Sequence, residues 1–400
     1  MNCRISTKYP THLCKVKNFI ATFAKNVTKV RLQEMTVERD IAGFALPFAA
    51  GAALTAYIPA SQSILSLALP AVLLICTALL MHPFHKSLGD LTLVSVIVVL
   101  GFSCGGLSAL AGDMTSPWLP EKNLLRETAH DFCESIKAAI GSIQFKERES
   151  NSIVSALITG DRSSLPHHVT EAFRKSGASH ILALSGLHLG IIYGILKWVT
   201  GAFGRRLLPK TAEAVLIISA CGFYTIATGA GPSITRAFLF ILLGETASVT
   251  GRSRNTGTIL WTALLIQLVF NPVSVRSISF QLSYAAMIGI AYIYPHLRRF
   301  WPDDGGGPVG KIIKKTWDSA ALSIACQITT AYLAWTYFGT FPRHFLLTNL
   351  IALPLTGIII PSSLGILALD SIGICPDIFV TCVDRLIDVL AESLGIIASL

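Results

Sequence analysis

Long apolar runs recur along this 400-residue chain, and they restrict its fold more than any other feature. A helix needs roughly 20 mainly apolar residues to cross a bilayer, and runs of about that length follow one another from residue 41 onward. Hydrophobic residues make up 52% of the chain and charged residues only 14%, which excludes an ordinary soluble domain. Backbone groups in lipid must satisfy one another, so these runs should be helical. The sequence therefore predicts an all-α, polytopic integral membrane protein with about 10–11 transmembrane helices.

The basic residues are placed as they are in a multi-pass protein whose N-terminus is cytoplasmic. In that orientation the inside segments hold about 20 of the 32 lysines and arginines. Much of the net charge of +9 then sets topology and needs no ligand. The first 34 residues are basic and lack the apolar core of a signal peptide. They are either a cytoplasmic tail or a start-site misassignment, with Met35 as the alternative to Met1.

Four segments follow from this pattern: a basic cytoplasmic N-terminal segment (1–40), N-terminal transmembrane helices (41–112), an extracytoplasmic helical region (113–179) and a second transmembrane core (180–400). Within 113–179, apolar residues recur every three or four positions from Leu125 to Ile143, which predicts one amphipathic helix. Such a helix lies on a membrane or on a partner. The simplest interpretation is a helix packed on the outer surface of the bundle.

Three polar residues stand at the head of the apolar run 180–199: His180, Ser185 and His188. One continuous helix from near Ala178 would place Ser185 about 10 Å and His188 about 15 Å along its axis, at membrane depth. His188 could bond a neighbouring helix, line a polar passage, or form a nucleophilic pair with Ser185. On the opposite face, small residues spaced by four predict close helix packing, at Gly186, Gly190 and Gly194.

A glycine-rich turn, residues 229–231, leads into a helix that carries Arg236 about one turn from its start. This arginine could reach the interface as an anchor, offer a cation to a polyanionic cargo, or form an internal ion pair.

Polar residues also line other predicted spans. Ser277, Gln281 and Tyr284 share one helical face, and Gln327 belongs to a similar stripe further along. Asn349 precedes Pro354 and Pro361 in a span that we expect to be kinked or broken. These stripes either hydrogen-bond between helices or line a shared internal surface.

Five ordered motifs resemble the competence domain of the ComEC family, the inner-membrane channel for DNA internalisation in natural transformation. They are Gly160-Asp161-Arg162-Ser163, the segment His180 to Gly190, the turn Gly229 to Ala237, Asn271-Pro272 with Phe280-Gln281-Leu282-Ser283, and Asn349 to Pro354. The resemblance covers roughly Ser152 to Pro361 and makes 180–400 a competence-type core. The family usually has an acid where Ser277 stands and glycine where Ser279 stands, so an acid-dependent step there is not implied.

The resemblance implies a channel, or a channel subunit, that passes single-stranded DNA into the cytoplasm across the bacterial inner membrane. It also implies partners: a separate DNA-binding receptor, a nuclease, a cytoplasmic motor or single-strand-binding protein, the lipid bilayer and a possible homo-oligomer. Candidate path residues are His180, Ser185, His188, Arg236, Ser277, Gln281, Tyr284, Gln327 and Asn349.

We expect no catalytic residue, no cofactor and no metal. The nine cysteines have no CxxC spacing, and the chain has no nucleotide-binding loop. The alternatives are a transporter of a non-DNA substrate on the same core and an intramembrane serine hydrolase.

Overall fold

A computed structural model describes residues 37–53, 97–98, 124–143, 145–146, 148–202, 209–301, 307–339 and 344–400. Every regular element in these ranges is helical, which confirms the predicted all-α class for the described part of the chain. Most of the N-terminal segment 1–40 and of the early spans 41–112 lies outside the described residues. The helices are α1 (37–53), α2 (Leu124–Ser142), α3 (Arg148–Thr159), α4 (His167–Lys175), α5 (Ser179–Leu182), α6 (Gly186–Ala202), α7 (Lys210–Ala227), α8 (Pro232–Val249), α9 (Thr256–Phe270), α10 (Ile278–Ile288), α11 (Tyr294–Arg298), α12 (Gly307–Phe338), α13 (Phe345–Ser371) and α14 (Asp377–Ser399).

Local sequence signals set several of these boundaries. Asn255 caps α9, because its side-chain oxygen accepts hydrogen bonds from the backbone N–H groups of Gly257 and Thr258. Pro232 occupies the first position of α8, where the missing N–H costs nothing. Gly160 and Gly177 adopt left-handed backbone conformations (φ of 80° and 85°) just after α3 and α4. Glycine therefore lets the chain turn sharply before and after the segment that leads into α5.

The largest apolar cluster joins the predicted extracytoplasmic region to the end of the chain. Helices α3, α4 and α5 pack there with α13 and α14. Phe173 and Leu157 from the first group are fully buried in it, as are Ile359 and Leu390 from the second. The segment 148–179 is therefore part of the main core. Helix α2 lies partly on the surface, with Ile140 buried in the cluster and Phe132 about half exposed.

Two smaller clusters complete the described core. One joins α1 to α9 and α10 around Leu260 and Phe280. The other joins α6, α7 and α8 around Leu189, Ile217 and Ile234. Helix α12 passes so close to Gly289, the residue after α10, that a Cβ there would lie 2.5 Å from the carbonyl oxygen of Ala325, so only glycine fits at that crossing.

Two described helices are long and apolar enough to cross a membrane, α7 and α13, and the shorter α9 is also apolar. Helices of this kind also occur in the cores of soluble proteins. The predicted multi-pass arrangement of ten or eleven spans is therefore not established by the described helices. The fold leaves wide apolar surface exposed on its later helices, including Ile328, Ile358 and Ile396.

The apolar run 180–199 does not form the single helix that the sequence predicts. Helix α5 ends at Leu182, residues 183–185 leave the helical conformation, and α6 begins at Gly186. The expected depth of Ser185 along a continuous axis is wrong for this reason. The physical cause lies in the polar residues, because a serine just before a new helix start stabilises the break by capping.

Two other expected helices also differ from their sequence patterns. The run 278–294 is divided into α10, a π-helical turn over Gly289–Ile293 and α11. In contrast, α13 runs unbroken from Phe345 to Ser371 although it contains Pro354 and Pro361. The span is therefore not broken at these prolines, and the expected kink stays a prediction.

Candidate functional site

Ser185 and His188 form a reciprocal cap at the start of α6. The Ser185 hydroxyl oxygen accepts a hydrogen bond from the Leu187 backbone N–H (3.3 Å). In return, the Nδ1 atom of His188 accepts one from the Ser185 backbone N–H (3.1 Å) and lies 3.2 Å from the Ser185 hydroxyl. This is the arrangement of a capping box, with histidine in the place where glutamate or glutamine usually stands. His188 is fully buried, so the two predicted site residues act first as the polar support of a helix start.

The Gly160–Ser163 motif holds the break that precedes this cap. The Arg162 Nε donates a hydrogen bond to the carbonyl oxygen of Leu182 (3.0 Å). Leu182 is the last helical residue of α5. A Cβ at Gly160 would lie 3.3 Å from the Leu184 side chain, so this loop packs directly on the break. Two motifs that are 20 residues apart in sequence therefore form one structural unit.

Asp161 anchors the same loop to α2. Its carboxylate accepts the Ser163 backbone N–H (2.9 Å) and lies 2.9 Å from the Lys137 ammonium. These contacts lower the pKa of Asp161 to about 2, with the Ser163 backbone hydrogen bond as the largest cause and the Lys137 hydrogen bond next. The pKa of Lys137 is raised, chiefly by its hydrogen bond with Glu134 and next by its hydrogen bond with Asp161. The loop is therefore held by a charged pair over the whole physiological pH range.

Among the described residues, the glycine stripe of α6 makes close contact at Gly186. A Cβ at Gly186 would lie 3.2 Å from the Cβ of Ala237 in α8. At Gly190 and Gly194, an added Cβ would meet nothing within 4 Å. Close packing at these two glycines therefore stays a prediction, since the described residues provide no neighbour there.

Arg236 lies in the first turn of α8 and is only 2% exposed. Its Nη2 donates to the Ser233 hydroxyl (3.1 Å), the Ser279 carbonyl (2.8 Å) and the Ser279 hydroxyl (3.0 Å). The predicted interfacial anchor would need an exposed guanidinium, and the predicted internal ion pair would need a carboxylate. The described residues provide Arg236 with neither of these.

The other residues predicted on this helical face, Ser277, Gln281 and Tyr284, have different environments. Ser277 is exposed and immediately precedes α10. Gln281 donates to the Val275 carbonyl (2.9 Å) and accepts from the Tyr337 hydroxyl (2.9 Å). Tyr284 is buried and donates to the side chain of Gln267 (3.0 Å). The described side-chain contacts of Gln281 and Tyr284 therefore connect helical elements.

The remaining candidates do not join this group through any described hydrogen bond. His180 is exposed on α5, where its Nδ1 lies 3.1 Å from the Gly177 carbonyl. Gln327 is partly buried on α12. Asn349 is partly buried on α13, and its side-chain oxygen has no hydrogen-bond partner in the described structure. The neighbouring Thr348 donates to the Ser176 carbonyl (2.7 Å), which ties this motif to the end of α4.

A charged network at the opposite end of α6 and α8 was missed by the sequence reasoning. Glu245 is 2% exposed and accepts hydrogen bonds from the Tyr193 hydroxyl (2.6 Å), Lys197 (3.1 Å) and Arg254 (2.9 Å). Lys197 also bonds Glu213 (2.9 Å). The sequence contains a signal for this network, since a lone acid inside an apolar run requires a partner.

Four of the five motifs are therefore linked by successive contacts. Arg162 holds the break before Ser185, Gly186 packs on Ala237, and Arg236 bonds Ser279. The described residues include no group of three or more His, Cys, Asp or Glu side chains placed to hold a metal. The chemistry available in this region is hydrogen-bond donation and one buried positive charge.

A family comparison agrees with this assembly of motifs. The family model described as "Competence protein" matches residues 157–400, which is more than half of the chain. The chain belongs to the competence protein family. The match begins inside α3, so the family region includes α4 and the linked motifs as well as the later helices.

Similar proteins include named members of this family. The chain is 31% identical to ComE operon protein 3 of Bacillus subtilis over 142 residues, covering 36% of this chain and 18% of that protein. It is 25% identical to competence protein ComA of Neisseria gonorrhoeae over 214 residues, covering 50% and 28%. An uncharacterized protein of Aquifex aeolicus is 28% identical over 177 residues, covering 44% and 39%. The chain thus spans less than a third of the first two relatives, and no solved structure matches it.

Proposed function

We propose that this competence-family chain is a channel, or a channel subunit, that passes single-stranded DNA into the cytoplasm during natural transformation. The observation that carries the proposal is a series of contacts within the region matched by the family: Arg162 with Leu182, Gly186 with Ala237, and Arg236 with Ser279. Segments distant in sequence meet in one place, as a shared path requires. The relatives named for competence support the biological role.

A multi-pass location in the bacterial inner membrane, with the N-terminus in the cytoplasm, belongs to the same proposal. Large apolar side chains are exposed along three consecutive late helices, for example Ile328 on α12, Ile358 on α13 and Ile396 on α14. Exposed apolar surface of this extent is typical of a protein that faces lipid or a partner. The apolar composition of the whole chain favours lipid.

The proposed partners are those that single-strand entry requires. A surface receptor would deliver double-stranded DNA, a nuclease would remove one strand, and a cytoplasmic motor or single-strand-binding protein would draw the other strand inward. A homo-oligomer is a further possible arrangement of the channel.

Deletion of the gene in a transformable host tests the proposal. Labelled double-stranded DNA is supplied, external DNA is digested, and the protected label is tested for single strands. We expect protected label to fall to background in the deletion strain, to recover on complementation, and surface binding of DNA to persist. Unchanged protected label would reject the proposal and would favour a transporter of another substrate.

One observation favours a second function, an intramembrane serine hydrolase: the Ser185 hydroxyl lies 3.2 Å from the Nδ1 of His188. However, that nitrogen also accepts the Ser185 backbone N–H, so it is already engaged in the cap. Substitution of Ser185 distinguishes a helix-capping role from a nucleophilic role. Ser185→Ala should cost about 1 kcal/mol of stability by loss of the cap, and Ser185→Asn should restore it.

DNA uptake in these two variants separates the functions. Under the channel proposal, Ser185→Asn retains uptake close to the unmodified level, since asparagine caps a helix as well as serine does. A hydrolase would lose its nucleophile in both variants. Loss of uptake in a stable Ser185→Asn protein would therefore favour the hydrolase.

A further inference from the structure

Arg236 is a buried cation whose hydrogen-bonding capacity is largely unused. A guanidinium has five N–H donors, and only the two on Nη2 have acceptors in the described structure. The buried Nε and Nη1 atoms have no hydrogen-bond partner there, which leaves three N–H donors unpaired. Unpaired buried donors are rare in proteins because each carries the full cost of its desolvation.

No carboxylate among the described residues pairs with this charge. The acceptors of Nη2 are a carbonyl and two hydroxyls, from Ser279 and Ser233, and these are neutral. A buried charge is normally paired, because burial without a counter-charge is strongly unfavourable. The environment of Arg236 therefore lacks an anion.

Two helix starts add further positive potential at the same place. Helix α8 begins at Pro232 and α10 begins at Ile278, and the Ser233 and Ser279 hydroxyls lie 3.3 Å apart. Neither helix has a side-chain cap, so the first N–H groups of both lack a side-chain acceptor. The N-terminus of a helix carries a partial positive charge and favours bound anions. Arg236 together with the N-termini of α8 and α10 therefore favours a bound anion more strongly than either helix N-terminus alone.

We propose that Arg236, Ser233 and Ser279, together with the starts of α8 and α10, form a binding site for a phosphodiester anion. The inference rests on the proposed function in taking the backbone of single-stranded DNA as the source of that anion. A phosphate oxygen would accept the unused guanidinium donors, and the serine hydroxyls would donate to a second oxygen. Arg236 is enclosed, so neighbouring groups must move before a phosphate enters, and association should be slow.

Binding of a labelled oligothymidylate to the purified full chain in zwitterionic detergent tests this site. Affinity is measured by fluorescence anisotropy at several salt concentrations. We expect Arg236→Gln to weaken binding about tenfold, which corresponds to about 1.4 kcal/mol. The slope of log affinity against log salt should become shallower by about 0.7, the value for one lost single-strand phosphate contact.

Arg252→Gln is the matched control, because Arg252 is exposed just beyond the other end of α8. It should leave both affinity and slope at the unmodified values. Arg236→Lys is a second variant that keeps the charge but loses the planar fork, and we expect weaker binding with an unchanged slope. If both Arg236 variants bind the oligothymidylate with the affinity of the unmodified chain, the proposal is overturned.

Thermal unfolding gives a second readout that needs no transport. The oligonucleotide should raise the unfolding midpoint of the unmodified chain and leave Arg236→Gln unshifted, since a ligand stabilises only the form that binds it. Without ligand, Arg236→Gln should be at least as stable as the unmodified chain, because the uncompensated charge is gone. A midpoint raised by phosphatidylglycerol nanodiscs but not by the oligonucleotide would overturn the nucleic-acid source.

The two proposals fail in different experiments. If Arg236→Gln binds normally while gene deletion abolishes uptake, the phosphate site is wrong and the channel stands. If Arg236→Gln loses binding while deletion leaves uptake unchanged, the chain binds phosphodiesters but does not internalise DNA.

Discussion

Removal of Glu245 should destabilise the bundle formed by α6, α7 and α8 more than removal of any exposed acid. Its carboxylate is 2% exposed and accepts three hydrogen bonds, from Tyr193, Lys197 and Arg254. A broken buried ion pair costs about 3–5 kcal/mol when the partner is left uncompensated. Here Lys197 keeps Glu213, and Arg254 is 42% exposed and can hydrate. We therefore expect about 3 kcal/mol for Glu245→Ala, at the lower end of that range.

Glu245→Gln should cost about half as much, because the amide oxygen still accepts the Tyr193 hydroxyl while the charge is lost. One kcal/mol shifts the unfolding midpoint of a large domain by about 2 °C, so we expect falls of about 6 °C and about 3 °C. The assay is thermal unfolding of the purified full chain in detergent. Tyr193→Phe completes a double-mutant cycle, in which the coupling with Glu245→Ala should be about 1 kcal/mol.

The control for this prediction is Glu134→Ala. Glu134 forms a mainly exposed pair with Lys137 on α2, and surface pairs of this kind contribute about 0–1 kcal/mol. We expect a midpoint within about 1 °C of the unmodified chain. Equal effects of Glu134→Ala and Glu245→Ala, or fully additive effects of Glu245→Ala and Tyr193→Phe, would refute the reasoning.

Two other carboxylates give further predictions. Asp384→Ala should cost about 2–3 kcal/mol, because it leaves the buried Ser150 hydroxyl (2.5 Å from Asp384) without its acceptor. The exposed neighbour Arg385→Ala should stay within about 0.5 kcal/mol, and equal midpoints for both variants would contradict this expectation. Asp161 has a lowered pKa, so its stabilising contribution of about 1 kcal/mol is complete above pH 3.8 and is lost as the pH falls towards 2. The difference in unfolding midpoint between the unmodified chain and Asp161→Asn should be constant above pH 4 and shrink below it. A difference that stays constant down to pH 2 would be inconsistent with the pairing of Asp161 and Lys137.

The sequence predicted helices and motifs better than it predicted their arrangement. Apolar runs and cap residues are local signals: α4 begins just after Pro166 and ends at Lys175, two residues before Gly177 with its left-handed backbone. The break between α5 and α6 was not predicted, because hydropathy does not register a capping serine inside an apolar run. The contact between Ser185 and His188 follows from their spacing, but their reciprocal cap required the backbone.

Long-range contacts could not be derived from the sequence alone. The Arg236 contact to Ser279 joins positions 43 residues apart, and the Asp384 contact to Ser150 joins positions 234 apart. The two residues of each pair are common types, and no helical periodicity relates positions so far apart in the sequence. An isolated acid within an apolar helix, such as Glu245, was the one available clue, and it gave no indication of which cations would pair with it.

Photocrosslinking during uptake tests most directly whether DNA passes along this chain. A photoreactive amino acid at Ser277, which is exposed at the start of α10 and close in sequence to Ser279, is activated while labelled DNA enters the cell. The same substitution at Ile396, exposed on the apolar surface of α14, is the control. We predict crosslinks to single-stranded DNA at Ser277 and none at Ile396. Equal labelling at both positions, or labelling at neither while uptake continues, would contradict the proposed path.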